Sequence, residues 1–371
     1  MKKRLFSLLS IVLIGSCIGL SGCGSSKSDS SNNDKATKSA STSTAPDANS
    51  TTDTDTVQDT NNSANTNTAQ DADNSANTDN STATHNSSTA PAKTYEPSAA
   101  AEKYATHPFL ELWSAREDVP YLAEYSSIPK IIPYIAKNNT NGGCVIICPG
   151  GGYVQLAIDK EGKAPAEAFN ENNITAFVLQ YRTNYTYEAV LTDVFRAIRY
   201  VRANAEEFAI DPDKISVMGF SAGGHLAAMS LEHYDEDTQN ADDIDKVSAK
   251  PDFGILCYPV ISLKDDLTHE LTRQTFLGKD NVSNEELIKK YSAEEGVTKD
   301  TPPVFIWHCE PDAAVPVENS ENFAKALDKN GIDYEMHIFK TGAHGLGLAT
   351  DNEEVKEWFP DCVKWLKGYG Y

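Results

Sequence analysis

Short runs of nearly continuous apolar residues recur along the chain, at 144–148 (CVIIC), 175–179 (TAFVL), 215–218 (ISVM), 253–257 (FGILC) and 304–307 (VFIW). A strand with one wet face alternates apolar and polar positions. A run without alternation marks a strand covered on both faces. Residues 334–339 read as a last strand. Between the second and third runs, Leu191, Val194, Ile198, Val201, Ala205 and Phe208 recur at spacings of three and four. That spacing puts them on one stripe and predicts a helix that stops before Asp211-Pro212. Further helices are predicted after Ser221, over about 317–329 with a stop near Gly331, and at the end of the chain, where Pro360 falls in the first turn and Val363 and Leu366 pack inward. Strands alternating with helices predict an α/β fold, a mostly parallel central sheet with helices on both faces. Ligands of such sheets sit beyond the carboxyl ends of the strands. Residues 262–302 are charged and poor in strand signal, and read as an insertion that rims such a site.

The pattern upstream is different. Lys2, Lys3 and Arg4 precede an apolar run over 5–20 that ends in Leu20-Ser21-Gly22-Cys23. This resembles the bacterial lipoprotein signal, which implies export, lipidation of Cys23 and a cell-surface membrane lipoprotein held by its lipid anchor. From Gly24 to Thr94 the only large apolar residue is Val57. Such a stretch cannot bury enough surface to offset the entropy of ordering it, so it is expected to be a disordered tether, with an r.m.s. span of about 45 Å. The chain therefore divides into a signal at 1–23, a Ser/Thr/Asn/Asp-rich tether at 24–98 and one large domain at 99–371. The net charge is −22, with 54 acidic against 32 basic residues. That excludes nucleic acid and electrostatic docking on anionic lipid. Of the seven cysteines, Cys17 leaves with the signal and Cys23 is the lipidation candidate. Cys144 and Cys148 share one predicted strand and lie too far apart to pair with each other. The cysteines of the domain read as small buried apolar residues, and no metal-ligand spacing occurs. No metal is expected.

Three motifs fall just past predicted strands. Gly219-Phe220-Ser221-Ala222-Gly223 follows ISVM and precedes an Ala-rich helix. A Gly-x-Ser-x-Gly turn projects its serine in a strained conformation, and the glycines avoid collisions across the turn. Pro149-Gly150-Gly151-Gly152-Tyr153 follows CVIIC. Its glycines leave backbone N–H groups free to hold an oxyanion, with Gly151, Gly152 and Ala222 as the candidate donors. A phosphate cradle is disfavoured, since no Gly-x-Gly-x-x-Gly opens a helix and no Lys-Ser/Thr follows. Asp312 follows VFIW, and His344 follows the last strand. The order Ser, Asp, His suits this strand arrangement: His344 takes the Ser221 proton while Asp312 fixes the imidazole tautomer. Activity is then expected to fall in acid, as His344 becomes protonated. Glu310, Asp265 and Asp266 are rival acids. His225, His308 and His337 read as structural.

Together with Leu112-Trp113 and the stretches 193–227, 291–308, 312–320 and 342–348, these motifs resemble the α/β-hydrolase fold esterases. The similarity is closest to the bacterial branch that includes acetylxylan esterases. Many of those relatives carry His where this chain has Pro149; the glycines are retained. The resemblance implies a triad of Ser221, Asp312 and His344, an oxyanion hole from Gly151, Gly152 and Ala222, and no cofactor. It implies a serine carboxylesterase that removes small acyl groups, acetyl foremost, from plant polysaccharide such as xylan. Feruloyl esterase and general short-chain carboxylesterase are the alternatives within the class. Its partner is an ester-bearing small molecule or an acylated polysaccharide. Trp113, Tyr121, Tyr125 and Tyr153 could stack on sugar rings, with core packing the favoured role for any single one of them. The alternative of another class is a non-catalytic, glycan-binding surface lipoprotein on a retired hydrolase fold.

Overall fold

The computed structural model describes residues 95–113, 129–236 and 242–371. The export signal, Cys23, the tether up to residue 94, Tyr121 and Tyr125 lie outside the described residues. In chain order the elements are α1 (Pro97–Tyr104), β1 (Leu110–Glu111), β2 (Lys130–Tyr134), β3 (Cys144–Cys148), a π-helical turn (Ile158–Lys163) running into α2 (Ala164–Glu171), β4 (Thr175–Gln180), α3 (Tyr187–Ala203), β5 (Ile215–Phe220), α4 (Ala222–Glu232) and β6 (Phe253–Cys257). They continue with α5 (Glu270–Leu277), α6 (Glu285–Lys290), α7 (Ala293–Gly296), β7 (Val304–Cys309), α8 (Glu318–Asn330), β8 (Tyr334–Phe339) and α9 (Trp358–Gly368).

The strands form one eight-stranded sheet in the order β1-β2-β4-β3-β5-β6-β7-β8. From β4 to β8 every neighbouring pair is parallel, while β1–β2 and β2–β4 are antiparallel. The runs without alternation are buried on both faces. Cys144, Ile146 and Cys148 point into a core shared with Val194, Ile198 and Val201 of α3, Leu226 and Met229 of α4, and Phe323 and Leu327 of α8. Val145 and Ile147 point into the other core, against Phe169 of α2 and Trp358, Val363 and Leu366 of α9. All five described cysteines are free and buried.

Two local expectations are corrected. The apolar stripe of α3 continues to Phe208, but the helix ends at Ala203. The Asn204 side chain bonds the Tyr200 carbonyl (2.7 Å), and Ala209 turns into the left-handed region at φ 53°. Ala205 and Phe208 are therefore buried from a turn that folds back on the same core. The antiparallel strand β2 was not foreseen, because KIIPY is short and carries a proline, which argues against a strand. The insertion at 262–302 folds into α5, α6 and α7. Its entry is fixed by the fully buried Asn319 of α8, which accepts the N–H groups of Ile261 and Ser262 (both 2.9 Å) and donates to the Leu267 carbonyl (2.8 Å).

Candidate active site

β5 lies inside the sheet, and the chain must reverse sharply from it into α4. Ser221 sits at that reversal with φ 54° and ψ −120°. The turn closes only because two glycines lack side chains. A Cβ on Gly219 would stand 1.9 Å from the Gly223 carbonyl oxygen, and one on Gly223 would stand 2.1 Å from the Cys148 carbonyl oxygen. The Ser221 N–H donates to the Cys257 carbonyl (3.1 Å), and the Ser221 carbonyl accepts from Val260 and His225 (both 3.1 Å). A positive φ in a non-glycine residue costs about 1–3 kcal/mol, so these bonds are what hold the strained serine in place.

The loops after β7 and β8 meet it there. His344 Nε2 lies 2.7 Å from Ser221 Oγ, and His344 Nδ1 lies 2.7 Å from Asp312 Oδ2. Asp312 Oδ1 accepts the N–H groups of Ala314 (2.9 Å) and Val315 (3.0 Å). Burial alone would raise the Asp312 pKa. Hydrogen bonds from His308, His344 and Val315 overcome it and hold the carboxyl well below the usual carboxylate range. Asp312 is thus held in its anionic form. Two of the three rival acids are engaged elsewhere, Glu310 with Lys340 and Asp265 with Arg273. The fully buried His308 donates from Nε2 to the Val315 carbonyl (3.0 Å), with Nδ1 at 2.8 Å from Ser320 Oγ. His308 thereby shapes the Asp312 loop from behind.

The Gly-rich loop after β3 borders the serine on the other side. A Cβ on Gly150 would be 3.0 Å from Ser221 Cβ. Gly151 has φ 136°, and a Cβ there would strike the Gln155 carbonyl oxygen at 2.1 Å. Among the described residues, the N–H groups of Gly151 and Gly152 find no partner within the protein. Ala222 opens α4, so its N–H has no intrahelical acceptor. The loop is pinned at several atoms. The Tyr181 hydroxyl donates to the Pro149 carbonyl (2.6 Å), and Asn184 N–H donates to the Tyr153 carbonyl (2.7 Å). The Tyr153 hydroxyl lies 2.8 Å from His225 Nδ1, and His225 Nε2–H donates to the Tyr291 carbonyl (2.8 Å). These contacts orient the loop with Pro149 in its first position.

Two residues of this site carry no signal in the sequence reading. Glu161, nearly buried in the π-helical turn, accepts Gly150 N–H at Oε2 (2.8 Å) and the Tyr258 hydroxyl at Oε1 (2.8 Å). The Tyr258 hydroxyl in turn accepts Gly347 N–H (2.9 Å), and the Tyr258 ring stands edge-on to His344 with centroids 5.0 Å apart. One buried carboxylate therefore ties the Gly-rich loop to the loop that carries His344. Irregular π turns often mark functional positions, and only the fold shows where this one points. Glu161→Ala is expected to lower kcat for an aryl acetate roughly 10²-fold, the scale of a small misplacement of reacting groups, with KM little changed. Steady-state kinetics check this, and an unaltered kcat would show that other contacts hold the two loops.

His225 is held as a neutral ring, its pKa pushed by burial from 6.5 down to about 4. A folded value below the unfolded one means that the unfolded chain binds more protons between these pH values. The neutral ring's contribution is complete above about pH 6.5 and is lost as the pH falls towards 4, on the order of 3 kcal/mol. Thermal melts across that window should show a shallower acid loss for His225→Gln than for the wild type. Core packing is the role of two of the aromatic candidates. Trp113 is 4% exposed beneath the Arg196 guanidinium, and Tyr153 is fully buried, so neither offers a face to a sugar. Among the described residues, no group of three His, Cys, Asp or Glu is arranged to hold a metal ion.

Comparison with known proteins places this geometry. The BD-FAE family model matches residues 132–327, a stretch that includes the Gly-rich loop, Ser221 and Asp312 and stops short of His344. Endo-1,4-beta-xylanase B of Butyrivibrio fibrisolvens is 38% identical over 245 residues, 65% of this chain and 38% of that protein. The acetylxylan esterase of Xylanibacter ruminicola is 32% identical over 234 residues, 62% of this chain and 46% of that protein. The chain thus spans less than half the length of these curated relatives. The crystal structure of an acetyl ester-xyloside bifunctional hydrolase from Caldicellulosiruptor lactoaceticus aligns with a TM-score of 0.67 at 42% identity, covering 71% of this chain and 96% of that one. With an α/β-hydrolase sheet and a family match over more than half its length, the chain belongs to the BD-FAE family.

Proposed function

We propose that this protein is a serine carboxylesterase that removes acetyl groups from acetylated xylan through an acyl-enzyme on Ser221. The observation that carries the proposal is His344 bridging Asp312 and Ser221 at 2.7 Å on each side. As Ser221 Oγ attacks the ester carbonyl, His344 Nε2 accepts its proton, and the anionic Asp312 stabilises the imidazolium. The carbonyl oxygen becomes an oxyanion that the N–H groups of Gly151, Gly152 and Ala222 hold. His344 then gives the proton to the leaving sugar oxygen, and water, activated by the same imidazole, releases acetate. No metal or cofactor enters this sequence of steps.

The substrate assignment is supported by two of the proteins above, an acetylxylan esterase and an acetyl ester-xyloside bifunctional hydrolase. A non-catalytic glycan-binding module would not need Ser, Asp and His in mutual hydrogen-bond contact beside unpaired N–H groups. A panel of aryl acetate, aryl butyrate, a ferulate ester and acetylated xylan tests the reading. Acetate release from xylan, with acetyl preferred over butyryl, is the expected result. Faster ferulate release would reassign the enzyme as a feruloyl esterase, and aryl ester turnover alone as a general carboxylesterase. We also propose that Cys23 carries a lipid that anchors the enzyme at the cell surface. The sequence Leu20-Ser21-Gly22-Cys23 after a charged head and apolar run supports this. Labelled fatty acid should enter the wild-type chain and not Cys23→Ala.

A further inference from the structure

The N-terminal turn of α5 comes from the insertion and stands over the Gly-rich loop. A Cβ on Gly152 would lie 3.2 Å from Leu271 Cδ2 and 3.9 Å from His269 Cε1. Leu271 is 45% exposed, and among the described residues only it and Phe109 are large exposed hydrophobics. An apolar side chain left in water beside unpaired oxyanion donors is a surface that gains by being covered.

His269 is built into this rim. It caps α5, its carbonyl accepts Arg273 N–H (3.2 Å), and its Nδ1 lies 2.8 Å from Oγ1 of the fully buried Thr272. These contacts fix the ring. Its other nitrogen, Nε2, has no hydrogen-bond partner among the described residues. Burial, with the neighbouring His344, keeps the imidazole pKa below its ordinary value, and Asp312 opposes the shift. The lowered pKa favours the neutral ring, which stands over Gly152, two residues from the Gly150 backbone that packs against Ser221. An imidazole on the rim over this loop borders the space that an ester bound at Ser221 would fill. A neutral Nε2 is a donor or an acceptor according to which way the Thr272 hydroxyl points. A hydroxyl group satisfies either case.

We propose that His269 Nε2 binds a free hydroxyl on the carbon next to the ester-bearing carbon of the alcohol, while Leu271 covers the apolar face of the same moiety. This rests on the esterase reading and sharpens it. The rim selects esters of vicinal diols, the arrangement of a partly acetylated sugar, over esters of simple alcohols. His269 is on this account a specificity residue, and the transfer of the acyl group does not pass through it.

The test compares an isosteric pair, 2-hydroxyethyl acetate and propyl acetate, in wild type, His269→Ala and His269→Gln, with acetylated xylan as a third substrate. One lost hydrogen bond to a neutral group predicts that the ratio of kcat/KM for the hydroxyethyl over the propyl ester falls about tenfold in His269→Ala, mainly through KM. His269→Gln, whose amide retains a donor and an acceptor, should recover part of the ratio. An unchanged ratio in His269→Ala overturns the proposal, as does an equal loss on both esters with no recovery in His269→Gln. Failure of the esterase reading looks different: the wild type would hydrolyse neither member of the pair. Failure of the xylan assignment alone would leave the pair informative and the polymer untouched.

Discussion

Ser221→Ala is expected to lose hydrolysis of an aryl acetate on the order of 10⁶-fold in kcat. The proposed nucleophile is a single oxygen, and the substitution removes that atom and little else. Ser221 is only 8% exposed, and its backbone is held by Cys257, Val260 and His225 through main-chain groups that alanine retains. The variant should therefore fold, melt close to the wild type and still bind ester. The proposed oxyanion donors belong to the backbone and stay in place, so a residual acceleration over water of about 10³-fold is expected. A phosphonate probe should label the wild-type chain at Ser221 and leave the variant unlabelled. Acetate release from Ser221→Ala at a rate near that of the wild type would remove the serine from the mechanism and with it the whole functional reading.

Asp312→Asn is expected to cost about 10⁴-fold in kcat while keeping the fold. The reason lies in which atoms the carboxylate serves. Oδ1 accepts two backbone N–H groups, from Ala314 and Val315, and Oδ2 accepts from His344 Nδ1. An asparagine has one acceptor oxygen. The two N–H groups claim it, which turns the side-chain NH₂ towards His344. Nδ1 must then be the unprotonated nitrogen, and Nε2 carries the hydrogen. In that tautomer Nε2 faces Ser221 Oγ as a donor and has no lone pair to take its proton. The loss should appear in kcat with KM nearly unchanged. A small effect would mean that His344 keeps its tautomer without the carboxylate, with Glu310 too far engaged with Lys340 to substitute.

Both variants target residues that their places in the sequence mark out. Ser221, Asp312 and His344 each follow an apolar run, and a parallel sheet brings such positions to one edge whatever the details of packing. Glu161 and His269 are a different case. Glu161 is a charged residue in a polar stretch, indistinguishable by composition from any solvated helix face. Its burial follows from a π turn that aims it at Gly150 and Tyr258. His269 lies in a segment whose pattern announces only an insertion. Trp113 and Tyr153 are core residues, the role favoured for any single aromatic residue near a motif.

By itself, then, the sequence determined which segments are buried on both faces, how strands and helices alternate, and where Ser221, Asp312 and His344 leave the sheet. These are local properties, written in hydrophobic periodicity and in glycines that no other residue can replace. Tertiary structure alone decided which polar groups stand behind those side chains: Glu161 between two loops, His308 beneath Asp312, and His225 locked between Tyr153 and Tyr291. Each of these bonds joins residues brought together by the fold, and a hydrogen bond between distant segments leaves no periodic trace in either of them.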